Sequence, residues 1–449
     1  MLKKTLIRAC MAIAVCIMAV TVKAENIDIF QSDGGEGLRN ALENLNPGDR
    51  LTIHSGSYQL GTGFINGNPD FVRVGNGQLR GGPGQVTEIR GQGSVFIRGN
   101  LEFFQSAYVT VSGLTIHGSF PQSNGTFIQN QQPGLFFLQC RNIDVLNNTI
   151  AYCGGGGINF NHSDYINIDR NVCHDNCRLN PDQHSGISIY QPVDMLGNND
   201  GRFWRIRITR NICHDNRNDV PNPSSDNITD GNGIILDDYK HTQSEFFDDA
   251  RAQMNQSGIQ FVDSPYYRDD LRTLVEGNAC SFNGGSGIHA FLAVNVFIKN
   301  NTCVGNVSHL FNGVFSGQFE FQKRGQISLG ESDLCLVLNN VMVATDVEAA
   351  SGNTPYAASD FFSHLNFWTD NLAWSTVSGG NTSLLFDNPD TINFNLYREN
   401  PQLENLFSGD FRPRRNLNRG QRWENHFYGA LNETVPPDRR PELGAYEFQ

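Results

Sequence analysis

The sequence predicts an all-β fold, a single right-handed parallel β-helix in which short strands stack coil upon coil. The hexapeptide NVCHDN at 171–176 returns as NICHDN at 211–216, and a Gly-Ile pair stands upstream of most copies. Short runs alternate polar and β-branched residues, and no segment has a convincing helical period. Self-similarity at periods of about 20 to 50 residues is typical of a solenoid, whose units bury their apolar faces only against their neighbours.

Looser copies of the hexapeptide fix the length of one coil. They begin at Asn148, Asn278, Asn301, Asn340 and Asn371, and the spacings 148 to 171 and 278 to 301 are both 23 residues. This length suits three short strands and three turns, with equivalent positions of successive coils about 4.8 Å apart. The asparagines are predicted to form an inward ladder. Two residues later we expect an interior column of Ile150, Cys173, Cys213, Cys280, Cys303, Met342 and Ala373.

Residues 1–24 are predicted to be a secretory signal, because basic residues precede an apolar run and a small-residue cleavage site. The formal net charge is −13, and this segment carries four positive charges, so the remainder is near −17. An acidic chain argues against a nucleic-acid partner and against membrane attachment through basic patches. No other apolar stretch approaches membrane length, so no membrane insertion is expected. We expect a secreted or periplasmic protein.

Residues 25–449 are expected to form one β-helix domain, because a solenoid grows without dividing. Caps are expected at about 25–50, with a short helix over 38–45, and irregularly at 400–449. Of the eight cysteines beyond the signal, four fall at the repeated interior position and are expected to be buried small hydrophobes. Cys153 and Cys177 occupy nearly equivalent positions on successive coils, and a disulfide between them stays open.

Insertions indicate that the central coils carry the function. The repeat spacing grows to 40 residues from 171 to 211, 67 from 211 to 278 and 39 from 301 to 340. Extra residues in a solenoid coil form loops that project from it, and projecting loops on neighbouring coils form the walls of a cleft. Large loops are predicted at 191–203, 216–230 and 239–271.

The segment DGNGIILDDYK at 230–240 has the highest concentration of carboxylate and amide side chains. Alternation turns Ile234 and Leu236 inward, so Asn232 and Asp237 face outward or into the turn. Asp230, Asp237 and Asp238 then give the oxygen-rich presentation that Ca²⁺ prefers. The alternative is a solvated acidic turn, or an aspartate that caps backbone amides.

Aligning the coils by their Gly-Ile pairs brings further residues beside this segment. The coil before contributes His184, the coil after contributes His289, and the next coil contributes Lys323 and Arg324. With Lys240, these are the candidate catalytic residues. The candidate substrate-binding residues are Asn232, Tyr190, Tyr239, Phe291 and Glu331.

Motifs along the chain resemble the pectin-lyase-like superfamily of β-helix proteins. PGDRLTI at 47–53 looks like that family's opening strand, VTVSGLTI at 109–116 like a first full coil, and PELGAYE at 441–447 like a closing motif. The resemblance covers nearly all of the chain beyond the signal. It specifies the fold well and the substrate poorly, because one β-helix supports many chemistries.

The acidic groove resembles that of calcium-dependent pectate lyases, in which an aspartate cluster lies beside a Lys or Arg base. The resemblance implies Ca²⁺ held by Asp230, Asp237 and Asp238, with Lys323, Arg324 or Lys240 as the base. The implied reaction is β-elimination in an acidic, uronate-containing polysaccharide, in which calcium neutralises the carboxylate next to the proton that is removed.

Three alternatives stay open at this point. In a glycoside hydrolase, two of Asp230, Asp237, Asp238 and Glu331 would be the acid and the base. A C5-epimerase would begin with the same proton abstraction as a lyase. A non-catalytic carbohydrate-binding or adhesin-like β-helix belongs to another class, and the uneven, clustered loops favour an enzyme over it.

Overall fold

The computed structural model describes most of the chain. It covers residues 23–413 except 66–67, 78, 123, 196–202, 224–225, 267–270, 310–323, 347–355, 378–383, 388–390, 395–396, 398–399, 402 and 406–409. The predicted signal, apart from its last two residues, and the predicted cap at 400–449, apart from a few residues, therefore lie outside the described residues.

The described chain is built from short strands with two helices. The N-terminal part contains β1 (Asn26–Ile29), a 3₁₀ turn (Gln31–Asp33), α1 (Gly34–Glu43), β2 (Arg50–Gln59), β3 (Phe64–Ile65), β4 (Asn68–Pro69), β5 (Val72–Arg73), a turn (Val74–Gly77), β6 (Thr87–Arg98), β7 (Leu101–Phe104), β8 (Ala107–Ser112), β9 (Thr115–His117), β10 (Ser119–Pro121) and β11 (Phe127–Gln129). The central part contains β12 (Leu135–Leu138), β13 (Arg141–Leu146), β14 (Thr149–Ala151), β15 (Ile158–Asn161), β16 (Asp164–Asp169), β17 (Val172–His174), β18 (Ile187–Tyr190), β19 (Ile206–Thr209), β20 (Ile212–His214), β21 (Ile234–Asp237), α2 (Ser244–Gln256), β22 (Thr273–Glu276), β23 (Ala279–Ser281) and β24 (Ile288–Phe291). The C-terminal part contains β25 (Val296–Lys299), β26 (Thr302–Val304), β27 (Gly325–Gly330), β28 (Leu336–Leu338), β29 (Val341–Ala344), β30 (Tyr356–Phe361), β31 (Phe367–Thr369), β32 (Leu372–Ser375), β33 (Leu384–Phe386), β34 (Ile392–Phe394), β35 (Leu403–Asn405) and β36 (Asp410–Pro413).

These strands form the predicted parallel β-helix. Each typical coil contributes one strand to a ten-stranded sheet, which runs from β5 to β33 and which we call the groove sheet. The other two strands of the coil join a twenty-stranded sheet, the wall sheet. Every pairing within these two sheets is parallel, for example β18 with β21 and β21 with β24. The predicted solenoid fold is confirmed.

The interior is filled by columns of equivalent residues. In the groove sheet Ile187, Ile234, Ile288 and Ile327 lie in one register and are fully buried. The predicted cysteine column is also confirmed: Cys173 pairs in register with Cys213, and the column continues as foreseen on both sides. All eight described cysteines are buried free thiols, so the structure contains no disulfide between Cys153 and Cys177.

The predicted asparagine ladder runs from Asn148 to Asn371. At each step the backbone N–H and the side-chain Nδ2 of one asparagine donate to Oδ1 of the next, at 2.9 to 3.1 Å. Nδ2 also donates to a carbonyl of the coil before, as Asn211 does to Ile168 at 3.0 Å. The residue before each ladder asparagine, such as Arg170 or Arg210, has a left-handed φ of 54 to 66°. The left-handed residue interrupts the alternation of inward and outward side chains, so the asparagine that follows it points inward.

A second ladder stands at the other end of the short wall strands. It uses the last asparagine of the hexapeptide, so that Asn176, Asn216 and Asn283 each donate to the next side chain, and Asn306 donates to Gln326 Oε1 at 2.8 Å. The glycines that precede the groove strands lie against this ladder, since a Cβ at Gly186 would be 2.7 Å from Asn216 Nδ2 and one at Gly233 would be 3.0 Å from Asn283 Nδ2.

The helices differ partly from the prediction. The N-terminal cap contains α1, somewhat earlier than the predicted 38–45, with Leu38 and Leu42 buried on the first coil. The predicted loop at 239–271 was wrong in one respect, because α2 occupies its centre and buries Phe247, Ala250 and Met254. Their spacing of three and four residues is a helical face that the surrounding acidic residues obscured. Among the described residues, no helix is both long and apolar enough to cross a membrane.

We predict that Asn211→Ala lowers the free energy of unfolding by about 2 to 4 kcal/mol, because it leaves the amides of Asn171 without their acceptor in a buried site. Urea unfolding followed by circular dichroism measures the change. Asn167→Ala is the matched control, since Asn167 donates only to Asp144 on the partly exposed face. Equal shifts for both variants would contradict a special role of the ladder.

Candidate active site

Two columns of side chains stand on the outer face of the groove sheet. One column contains Tyr190, Asp237 and Phe291 in register. The other contains Ser188, Ile235, His289 and Ser328. The stacking predicted from the Gly-Ile pairs is therefore confirmed, and it places Asp237 between two aromatic rings on neighbouring coils.

Asp230 and Asp237 form a pair of partly accessible carboxyls on the coil of β21. Burial raises the pKa of Asp230 to about 6, although Arg324 and the Asn232 amide favour its charged form. Burial raises the pKa of Asp237 well above its usual value, and the charges of Asp230 and Asp238 add to this effect. Asp237 Oδ1 has no hydrogen-bond partner among the described residues. Two interacting carboxyls with raised pKa values are typical of a catalytic site.

Asn232 holds Asp230 in place. Its Nδ2 donates to Asp230 Oδ1 at 3.1 Å and to Ser185 Oγ at 3.0 Å, and its Oδ1 accepts from Ser286 N at 2.8 Å. It thereby ties three successive coils together beneath the carboxyl. Between the two residues, Gly231 has a φ of +82°, and a Cβ there would lie 2.7 Å from Arg217 Cα. Only glycine therefore allows this turn.

Arg324 supplies the positive charge of the site. It is buried, and its guanidinium favours the charged forms of both Asp230 and Asp237. It also lowers the pKa of His289, which burial already holds well below its usual value. Of the five cationic or basic candidates predicted near the carboxyls, Arg324 is the one among the described residues whose charge acts on Asp230 and Asp237.

The two histidines are neutral at pH 7. The His289 Nδ1 lies 3.2 Å from the carbonyl of Ser328, which requires a proton on Nδ1 and leaves Nε2 as an acceptor. No described residue hydrogen-bonds to this Nε2. Burial lowers the pKa of His184 to about 4. Its Nδ1 accepts from the Asn159 amide, and its carbonyl accepts from Gly231 N at 2.9 Å.

Tyr190 and Phe291 lie on either side of Asp237 along the groove. Burial and the charges of Asp237 and Asp238 raise the pKa of the Tyr190 phenol, whose hydroxyl donates to Gln243 Oε1 at 3.1 Å. The Phe291 ring stacks on His289 with centroids 5.8 Å apart. Both rings are partly exposed, so they offer apolar surface next to the carboxyls.

The structure separates Asp238 from the other two carboxylates. Asp238 is fully buried, and its oxygens accept from Thr242 N, Thr242 Oγ1, Gln243 N and Gln191 Nε2 at 2.7 to 3.0 Å. These contacts fix the corner that leads into α2. Asp238 therefore acts as a cap of backbone amides, one of the alternatives that the sequence left open.

Three other candidates do not join the carboxyl pair, and a fourth cannot be placed. Tyr239 is buried in the interior, where its hydroxyl lies 3.2 Å from Thr273 Oγ1. Lys240 pairs with Asp333 at 2.7 Å and donates to the carbonyl of Glu331, at the opposite end of the groove strands from Asp230. Glu331 lies at the same corner. Lys323 is outside the described residues.

The donor set does not fit a calcium ion. Among the described side chains, no group of three or more His, Cys, Asp or Glu residues is arranged to hold a metal. The oxygens of Asp238 are committed to backbone and side-chain donors, and the buried cation Arg324 already faces Asp230 and Asp237. The two carboxyls that remain would therefore have to share a calcium ion with the positive charge of Arg324, which disfavours a cation there.

Sequence reasoning missed Asn159 and Ser188, which occupy the same outward column as His289. The Oδ1 of Asn159 and the Oγ of Ser188 are buried without a partner among the described residues. The signal was present, since each follows the isoleucine of a Gly-Ile pair. Extending the alignment by one residue would have found both.

The site and fold together define a parallel β-helix with two carboxyls and an arginine beside one of its sheets. No protein-family model and no curated protein matches the chain. Several solved structures are similar. The Azotobacter vinelandii mannuronan C-5 epimerase AlgE4 A-module has 12% identity and a TM-score of 0.43, over 78% of this chain and 87% of that one.

Two further similar structures are named as a lyase and a biosidase. Pectate lyase Pel9A has 11% identity and a TM-score of 0.42, over 96% of this chain and 98% of that one. The GH136 lacto-N-biosidase from Eubacterium ramulus has 10% identity and a TM-score of 0.42, over 83% and 68%. The likeness is one of fold, and the named activities belong to those proteins.

We predict that Asp230→Asn stabilises the protein at pH 8 by up to about 3 kcal/mol and has no effect at pH 3.5. A carboxyl whose pKa rises from 3.8 to about 6 on folding binds its proton more tightly in the folded chain. Its contribution to stability is therefore complete below pH 3.8 and is lost as the pH rises through 6. Thermal unfolding across this range measures the effect. Asp226→Asn, in an exposed turn, is the control, and a pH-independent gain would contradict the raised pKa.

Proposed function

We propose that the protein is an exported glycoside hydrolase that uses Asp230 and Asp237 as its catalytic carboxyls. The observation that carries the proposal is the pair itself: two groove carboxyls on one coil, both with raised pKa values, of which Asp230 is stabilised as an anion by Arg324 and Asn232. Glycosidases need one carboxylic acid and one carboxylate on either side of the scissile bond. Environments that push two pKa values apart indicate which group has which role.

The environments assign the two roles. Burial and the neighbouring charges raise the pKa of Asp237 well above its usual value and so favour its protonated form, which suits the general acid that protonates the leaving oxygen. Asp230 has a hydrogen bond from Asn232 and the nearby charge of Arg324, so it is the carboxylate that acts as base or nucleophile. The charge of Asp230 also raises the pKa of Asp237, because two neighbouring carboxyls resist ionising together.

The groove supplies the substrate contacts. Tyr190 and Phe291 flank the acid along the strand register and would pack against sugar rings on either side of the scissile bond. Asn159, Ser188 and His289 each have a buried polar atom without a partner among the described residues, and sugar hydroxyls both donate and accept hydrogen bonds.

We predict that Asp230→Asn and Asp237→Asn each lower the turnover rate by about 10²- to 10⁴-fold. The assay measures new reducing ends with neutral polysaccharides, polygalacturonate, alginate and glycosaminoglycans. Asp182→Asn is the control, because Asp182 is an exposed carboxyl two residues from His184 and lies outside the pair. Full activity of either groove variant would overturn the assignment. With the unaltered protein, NMR analysis of the first-formed anomer shows whether the reaction inverts or retains the anomeric configuration.

We predict a bell-shaped dependence of kcat/KM on pH. The acidic limb follows ionisation of Asp230 and falls below about pH 6, and the alkaline limb follows loss of the Asp237 proton. Initial rates between pH 4 and 9 measure both limbs. Asp237→Asn should abolish the alkaline limb of its residual activity, and a flat profile for the unaltered protein would contradict the acid–base pair.

β-Elimination is the second candidate, favoured by Arg324 and His289. A guanidinium can neutralise a uronate carboxylate, and the lone pair of the neutral His289 Nε2 can accept the C5 proton without a metal. The same reducing-end reactions, followed at about 235 nm with and without chelator, separate the two chemistries. Unsaturated ends would establish elimination, and exchange of the C5 hydrogen without cleavage would establish epimerisation. If no product forms on any substrate, the enzymatic proposal is overturned in favour of a carbohydrate-binding β-helix.

A further inference from the structure

A second cavity lies on the wall sheet, away from the carboxyl pair. It has a volume of about 730 Å³ and lies between the β10–β11 hairpin and the ends of the short wall strands. Three of its lining side chains, Phe127, Tyr152 and Leu179, are large hydrophobic groups that are 57%, 39% and 36% exposed. Exposed apolar groups gathered in one concave site indicate a binding surface.

The cavity contains a cation without an acidic partner. Arg98 lies over the rings of Phe96 and Phe127, with its Cζ 5.1 and 5.2 Å from their centroids, and its Nη1 donates to the Ser119 carbonyl at 2.8 Å. Its Nε and Nη2 have no hydrogen bond to any other described residue. None of the lining residues is Asp or Glu, although the chain has a net charge of −13. A guanidinium fixed in this way is suited to bind a carboxylate.

The rings continue beyond the cavity along the solenoid. Phe96, His117, Tyr152, His174 and His214 come from successive coils, with neighbouring centroids 5.4, 4.6, 5.8 and 4.9 Å apart. His174 and His214 stack in parallel at an angle of 3°. The other rings are not coplanar, since Phe96–His117 and His117–Tyr152 are tilted by 39° and 34° and Tyr152 meets His174 edge to face at 80°. His174 and His214 cover each other's faces, and each bonds an adjacent aspartate, Asp175 or Asp215. The ligand surface is therefore the cavity itself and not the row beyond it.

The cavity is distinct from the groove. It shares no residue with the carboxyl site, and the strands around it belong to the wall sheet and to the separate β10–β11 hairpin. The turns that contain Cys153 and Leu179 separate it from the groove strands. Leu179 and Asn180 donate their backbone N–H groups to Gly154 O at 2.8 and 3.0 Å, which holds these turns together.

We propose that this cavity forms a non-catalytic binding site for an acidic saccharide chain. The apolar faces of the sugar rings pack on Tyr152 and Phe127, because aromatic faces attract C–H groups and exclude water. A sugar carboxylate pairs with Arg98. Gln129, which also lines the cavity, offers both donor and acceptor to sugar hydroxyls. The site goes beyond the proposed hydrolysis and does not depend on it.

Affinity electrophoresis in gels containing polygalacturonate tests the proposal in the Asp237→Asn background, where no turnover is expected. Phe127→Ala, Tyr152→Asn and Arg98→Gln should each weaken the retardation at least about tenfold. Asparagine is chosen at 152 because the backbone there has a φ of 55°, which asparagine tolerates. Phe246→Ala is the matched control, since Phe246 on α2 is also 57% exposed and lies away from the cavity. Thermal unfolding of each variant excludes a folding defect.

A neutral galactan of similar length tests the charge. Arg98→Gln should leave its weaker retardation unchanged, whereas the ring variants should reduce it. Equal retardation of all variants and the control in polygalacturonate overturns the site, and an equal loss on both polymers for Arg98→Gln overturns the acidic class of ligand. Phe127→Ala with an intact Asp237 should cleave a short soluble substrate at the normal rate. Failure of hydrolysis and failure of this binding site are therefore separate results.

Discussion

The stacked asparagine amides are the constraint on which the rest of the structure depends. The Oδ1 of each amide accepts from the backbone N–H and the side-chain Nδ2 of the asparagine one coil before, so a shift of one residue in any coil would break the ladder on both sides. The parallel strands alone leave register weakly defined, because every backbone position offers equivalent hydrogen bonds. The two ladders select one register. Asp237 lies between Tyr190 and Phe291 for this reason.

The same constraint explains which parts of the site could be predicted. Residues inside a strand follow strict alternation, so the inward Ile234 and Leu236 and the outward Asp237 were predictable from the Gly-Ile pairs alone. Alternation ends at the corner, where Asp238 has a φ of 47°. A left-handed residue changes the direction of the chain, which sends Tyr239 inward and turns Asp238 into the corner. A cluster of three carboxylates was therefore expected where the backbone allows only two.

Longer insertions were harder to predict, because their course depends on contacts that are remote in sequence. The segment at 239–271 was expected as a loop beside a cleft. Instead α2 packs against Val193 and Met195, and the side chain of Gln139 donates to Gln253 Oε1 on α2 at 2.7 Å. The partners of α2 come from two other coils. No local pattern in the segment identifies these partners, although the spacing of its apolar residues indicates a helix.

The buried thiols have a consequence for how the chain must be produced. Burial raises the pKa of Cys140, Cys153 and Cys335 to about 12, so in the folded protein these groups are inert toward oxidants. Before the coils stack, the same thiols are exposed and reactive. Any covalent link between two of the column cysteines formed at that stage would hold two coils in a geometry that the interior cannot accept. In an oxidising compartment, the yield of native protein therefore depends on whether the coils assemble faster than the exposed thiols oxidise.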